Sequence, residues 1–115
     1  KWMLSRGYEK NVVVLTRDVK YRKKANPKMQ LFLKAVLHKY PAFLKDLEER
    51  HIHYNETLEE LSALEKEGRV HIIRPSSPIQ AAMIERDESN LERIYQIGRA
   101  DMKKDLEKLK AYLDS

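Results

Sequence analysis

The hydrophobic positions of this chain fall at helical spacing almost everywhere, and two short runs break the rhythm. The first is Val12-Val13-Val14-Leu15, within Asn11 to Arg17. The second is Val70-His71-Ile72-Ile73, between Gly68 and Arg74-Pro75. Neither alternates with polar residues. Continuous apolar runs of this length are strands buried on both faces, as in a parallel sheet covered by helices. The pattern therefore predicts two parallel strands, at about 11–17 and 69–74.

Two helices lie between them. Pro27 to Tyr40 carries Met29, Phe32, Leu33, Val36, Leu37 and Tyr40 at three- and four-residue intervals, which predicts a single buried stripe. Asn26 is the expected N-cap. Pro27 sits at the first helical position, where its missing N–H leaves no bond unmade. Pro41 opens the second helix, whose stripe runs through Leu44, Leu47, His51, Tyr54, Leu58 and Leu61, with Leu64 slightly offset. His51 and Tyr54 are expected to be covered and to bond locally, as covered polar groups must. Gly68 ends this helix.

A third long helix closes the chain. Asp87 caps it, and it runs from about Glu88 to Leu113 along Leu91, Ile94, Tyr95, Gly98, Met102, Leu106, Leu109 and Leu113. Gly98 falls on the side expected to be buried. A helical glycine costs up to about 1 kcal/mol against alanine, so close backbone packing or a kink is expected there. Residues 1–7 resemble the end of a helix closed by Gly7. In Ser76 to Arg86, Pro75 and Pro78 argue for a turn, and Ile79, Ala82 and Met83 either make one helical turn or run extended. The fold class is α/β: helix-rich, two parallel strands joined by a two-helix crossover, and a long C-terminal helix.

Composition narrows the chemistry more than it identifies it. The 115 residues suit one domain or a piece of one. The charged fraction of 36% exceeds the usual quarter, with both signs interleaved on helix faces. The net charge is +5, which favours anionic partners. There is no cysteine, so disulfides, thiolate catalysis and Cys-based zinc sites are excluded. No signal peptide is visible, and no apolar run approaches the length that spans a bilayer. Of the three glycines, none flanks a serine, and no phosphate-binding glycine loop occurs. Ser76 and Ser77 read as turn residues. His51 and His53 lie on nearly opposite helix faces and cannot share a metal. No catalytic, cofactor-binding or metal-binding residue is assigned.

Asp18 to Asn26 is a basic loop just past the carboxyl end of the first strand, where ligands of open α/β sheets tend to bind. Arg17, Arg22, Lys23 and Lys24 there, with Arg74 at the end of the second strand, are the candidate contacts for an anion or a lipid headgroup. The aromatics do not interleave with the basic residues on a strand platform, and the second helix is rich in Glu near its end. Nucleic acid is therefore not an expected partner.

NVVVLTR with its Tyr-Arg-Lys-Lys loop, the helix ending in KYP, and RHIHYNETLEELSALEKEGRVHIIRPSSP together resemble the C-terminal region of bacterial patatin-like phospholipases. The last helix, LERIYQIGRADMKKDLEKLKAYL, is also similar to that family's. The resemblance covers nearly the whole chain. It implies a parent that is a serine acyl hydrolase of lipid esters, working with a Ser-Asp dyad. Its Gly-x-Ser-x-Gly elbow, Asp-Gly-Gly motif and glycine-rich oxyanion segment do not occur here. Residues 1–115 are then expected to be a single C-terminal accessory region or fragment that lacks the dyad, with residues 1–7 the tail of a helix from the missing catalytic domain. Its role would be to extend the catalytic sheet and touch anionic lipid headgroups. The partners implied are the parent's catalytic domain and anionic lipid. The location implied is the cytoplasm, peripheral at the membrane. Cut free, the piece is expected to expose an apolar sheet edge and to form a homodimer. The alternative is a non-enzymatic protein-interaction module.

Overall fold

A computed structural model describes residues 2–82 and 84–115. The order is α1 (Trp2–Ser5), β1 (Asn11–Val14), α2 (Pro27–Leu37), α3 (Pro41–Lys66), β2 (Val70–Ile73) and α4 (Glu88–Asp114). β1 and β2 pair in parallel, Asn11 opposite Val70 through Val14 opposite Ile73. The two-helix crossover and the long last helix stand as the sequence pattern predicts. Among the described residues no helix is long and apolar enough to cross a membrane.

Both strands are shorter than predicted, β1 by three residues at its end and β2 by one at each end. β1 stops at Val14, although the Leu15 N–H still donates to the Ile73 carbonyl at 2.8 Å. The chain divides into two units, Lys1–Tyr21 with Ala63–Ser115, and Arg22–Ser62. In the first, Val70 and Ile72 are the buried hydrophobic residues among those described. Burial on both faces of β1 does not occur: Val12 is 42% exposed and Val14 69%. The reason lies in register. Val12 and Val14 share a face with His71 and Ile73, and α4 packs against β2. The β1 half of that face is left open.

The helix ends follow local chemistry. Asn26 Oδ1 accepts the Met29 N–H at 3.2 Å, and Asp87 Oδ1 accepts the Ser89 N–H at 3.0 Å. Each satisfies a donor that the first turn leaves without a partner. Gly7 and Gly68 have φ of +86° and +73°, the left-handed geometry that closes a helix and that side chains resist. In α1 only Trp2–Ser5 is helical, and Lys1 lies outside the described residues. Ile79 and Ala82 form no helical turn; Met83 lies outside the described residues.

In the second unit α2 is shorter than predicted, ending at Leu37, and most of its stripe is uncovered. Leu33 and Leu37 are half-buried, while Met29, Phe32, Val36 and Tyr40 are exposed. The α3 stripe is half-buried from Leu44 to Leu61, His51 and Tyr54 included, and so is Leu64. Lys34 Nζ lies 3.1 Å from Glu48 Oε1, tying α2 to α3. At the loop, the Asn55 side chain accepts the Lys23 N–H at 2.8 Å and donates to the Lys23 carbonyl at 2.9 Å.

α4 turns a different face inward from the one its leucines suggest. Leu91, Tyr95, Leu106 and Leu113 are exposed. The covered side carries Ile94, Ile97, Asp101, Met102, Asp105, Leu109 and Tyr112. Gly98 is exposed too, and a Cβ built on it meets nothing within 4 Å. The close packing expected there is absent, and the helix runs continuously through it. Gly98→Ala should therefore raise stability by about 0.5–1 kcal/mol, because the helix gains propensity and no contact is lost. The thermal midpoint of the variant should rise; a fall would mean that the backbone at Gly98 is in contact with something.

Candidate functional site

The first unit holds an apolar cleft of about 410 Å³ at the carboxyl ends of the two strands. Val14, Leu15, Ile73 and Pro75 form one wall, and Ile94, Ile97 and Met102 of α4 form the other. This is where open α/β sheets place ligands. Its charged groups are already engaged. Arg74 donates to Glu65 Oε2 at 2.9 Å. Asp101 Oδ2 accepts the Ser76 N–H at 2.8 Å. That donation, helped by the Ser76 hydroxyl and the nearby Lys104 charge, holds the Asp101 carboxyl below the usual carboxylate range. An ionised, bonded carboxylate is a poor general base and no acid at neutral pH. The cleft offers apolar surface and an anchored turn, with no paired nucleophile and base.

A second polar cluster lies on β2. His71 Nε2 is 2.5 Å from Asp105 Oδ2, and both side chains are mostly covered. The Tyr112 ring tilts over His71 at 5.5 Å, and its hydroxyl accepts the Asn11 N–H at 3.0 Å. Lys10 Nζ donates to the carbonyls of Leu113, at 3.2 Å, and Ser115. Together these bonds fix α4 to both strands. The arrangement is a histidine oriented by a carboxylate, with no serine or threonine hydroxyl bonded to it among the described residues. Its chemistry is that of a clamp.

The second unit contains a smaller cavity of about 180 Å³. Lys23, Lys24, Arg50 and His51 line it with Met29 and Leu33, and no carboxylate does. Lys23 Nζ lies over the Tyr54 ring at 5.7 Å. Lys24, Arg50 and His51 have no ion-pair or hydrogen-bond partner among the described residues. On another face of α3 and exposed, His53 bonds Glu56 at 3.2 Å, and that bond, with Glu49, raises its pKa. Among the described residues no group of three His, Asp or Glu is placed to hold a metal ion.

The five predicted contact residues thus divide. Arg17 and Arg74 belong to the first unit. Arg17 donates to the Ile79 carbonyl at 3.1 Å and stacks on Tyr21, and Arg74 is paired with Glu65. Arg22, Lys23 and Lys24 belong to the second, and the last two line the basic cavity. Sequence reasoning passed over Arg50 and placed His51 among structural residues. Their one signal was position: in α3 they follow Leu47 by one helical turn, on the side that meets the start of α2. It also missed Asp101 and Asp105, which read as solvated helix charges.

The Asp101–Ser76 bond can be tested by pH. A carboxyl whose folded pKa is lowered stabilises the fold above its unfolded pKa and loses that contribution as pH falls through the folded value. Asp101→Ala should cost about 1 kcal/mol at pH 7. The gap from the parent should close on the acid side, below the ordinary aspartate range. A pH-independent gap in denaturant titrations would show that packing, not the charge, is what is lost.

Residues 40–114, more than half of the chain, match the pattern of a domain of unknown function, DUF6363, and the chain belongs to that family. Comparison with curated proteins and with solved structures gives no match.

Proposed function

We propose that this DUF6363 chain is the accessory region of a patatin-like lipid acyl hydrolase. It extends the sheet of the catalytic domain and contributes basic side chains to anionic headgroups at the membrane surface. The chemistry of ester cleavage belongs to the catalytic domain, and none of the residues here takes part in it. The observation that carries the reading is the uncovered parallel strand, with Val14 69% exposed. Parallel strands normally have both faces covered, and a two-stranded sheet is marginal by itself. The alternation set by the Asn11 and Leu15 N–H bonds to β2 turns the N–H and C=O groups of Val12 and Val14 toward the outer edge. A further strand laid along that edge supplies the missing backbone partners, and the elements that come with it cover the valines. The resemblance in the strands, the α3 end and the last helix names the class of protein that would provide it.

The decisive experiment is to read the coding sequence on the N-terminal side of Lys1. A Gly-x-Ser-x-Gly and an Asp-Gly-Gly motif in the same reading frame are expected. A frame with neither overturns the hydrolase reading in favour of an interaction module.

An open strand edge also has a consequence for residues 1–115 produced alone. They should self-associate through β1, giving a dimer in sedimentation at high concentration. Asn11 to Leu15 is short, so the dimer should be weak and dissociate on dilution. A monomer at every concentration would count against the sheet-extension role.

A further inference from the structure

From Val19 to Lys45 the sequence carries eight lysines and arginines and no carboxylate. Within this segment the second unit leaves Met29, Phe32 and Val36 in solvent, 51%, 62% and 57% exposed. They follow one another at three and four residues, so they form one apolar line along α2. Met29 also borders the basic cavity. Lys24, Lys28 and Lys39 have no ionic partner among the described residues. The unit therefore presents an apolar line, free cations beside it, and a cavity with Lys24, Arg50 and His51 at one end.

We infer that this face docks on an anionic phospholipid surface, with a headgroup phosphate in the Lys24–Arg50–His51 cavity and Met29, Phe32 and Val36 in the acyl boundary. Arg50 suits the phosphate because its planar guanidinium can give two parallel N–H bonds to two oxygens. The cavity has room for a phosphodiester, and the absence of a carboxylate from its wall leaves nothing to repel one. The start of α2 is not what attracts it, since Asn26 already caps that end. Charge decides between occupants. A second copy would bring the same cations to the face and be repelled. Nucleic acid would meet the cations but leave the apolar line wet. An anionic bilayer satisfies both, as interfacial helices with Lys on their flanks do. The inference rests on the lipid-contact part of the reading above and supplies its site. It replaces a list of loop residues with a cavity and a helix line.

The test uses the full chain with vesicles of phosphatidylglycerol and phosphatidylcholine mixed, vesicles of phosphatidylcholine alone, soluble glycerol 3-phosphate, and a single-stranded RNA. The expected result is co-sedimentation with the mixed vesicles and not with the neutral ones. Each basic residue near such a surface contributes about 1 kcal/mol, so Lys24→Ala with Arg50→Ala should weaken vesicle binding roughly 25-fold. Phe32→Ser should weaken it about tenfold through lost apolar burial. All three side chains are exposed, so helicity and thermal midpoint should match the parent's; Lys24→Gln and Arg50→Gln serve as a second pair if they do not. Equal binding to both vesicle types, or parent-like binding by the cavity variants, overturns the inference. Saturable glycerol 3-phosphate binding without vesicle binding overturns it in favour of a soluble phosphate ester. RNA binding that Phe32→Ser leaves intact, without vesicle binding, overturns it in favour of nucleic acid. Because vesicle binding is read on this chain alone, its failure does not touch the reading-frame test, nor the reverse.

Discussion

Parallel pairing of Asn11–Val14 with Val70–Ile73 is the constraint that the first unit depends on. A parallel pair cannot be closed by a tight turn; its two strands must be joined by a long crossover. Here α2 and α3 are that crossover. The entropy of closing so long a loop has to be offset where the strands meet. Two buried side chains, Val70 and Ile72, contribute at most about 1.5–3 kcal/mol each. Ordering backbone costs about 1–2 kcal/mol per residue, so those two side chains do not hold eight strand residues in place by themselves. The remainder comes from α4, which fastens to the pair through polar contacts at intervals along its length.

Those contacts explain which face α4 turns inward. By hydrophobic count, Leu91, Tyr95, Leu106 and Leu113 belong inside, yet they are exposed. Asp101 takes the Ser76 N–H, Asp105 meets His71, and Tyr112 meets Asn11. A hydrogen bond to a charged group contributes about 1.5–3 kcal/mol, as much as burying a leucine. Two such anchors, with a third from the neutral Tyr112 hydroxyl, spaced along one side outweigh leucines that would find no facing core. With so little core on offer, polar anchoring prevails over apolar burial. The exposed leucines are then a second apolar line, on a helix whose net covered face is mixed.

How much of this was legible in the sequence follows from the same balance. The strands, the crossover and the helix ends were readable because each rests on local chemistry: a valine run, Asn26 and Asp87 as caps, Gly68 in left-handed geometry. The faces were not. Periodicity states that Met29, Phe32 and Val36 share a side of α2; it carries no information on whether anything covers that side. Asp101 and Asp105 look like ordinary surface carboxylates until Ser76 and His71 are brought opposite them by long-range pairing. Arg50 and His51 become neighbours of Lys24 only when α2 folds back on α3. The basic loop was visible as charge, but the partners of Arg17 and Arg74 were not, since the Ile79 carbonyl and Glu65 lie at distances in sequence that no local pattern reports.

The family match sharpens the question of what β2 is for. Its span, residues 40–114, includes α3, β2 and α4 but stops short of β1. Residues 40–114 of this chain contain one parallel strand, and Asn11–Val14, outside that span, pairs with it. β1 in turn is open on its outer edge, so the same need is passed one strand further along the chain or to another chain. The two units therefore leave different kinds of surface unsatisfied. In the first, backbone N–H and C=O groups beside Val12 and Val14 call for a strand, which only protein can supply. In the second, the groups left in solvent along α2 include the apolar side chains Met29, Phe32 and Val36, with lysines beside them. An apolar helix line with an excess of positive charge beside it fits the lipid surface proposed for it better than it fits an added strand. On the proposed reading one short chain serves a protein partner with one unit and an anionic surface with the other, because the first leaves a strand edge open and the second an apolar helix line.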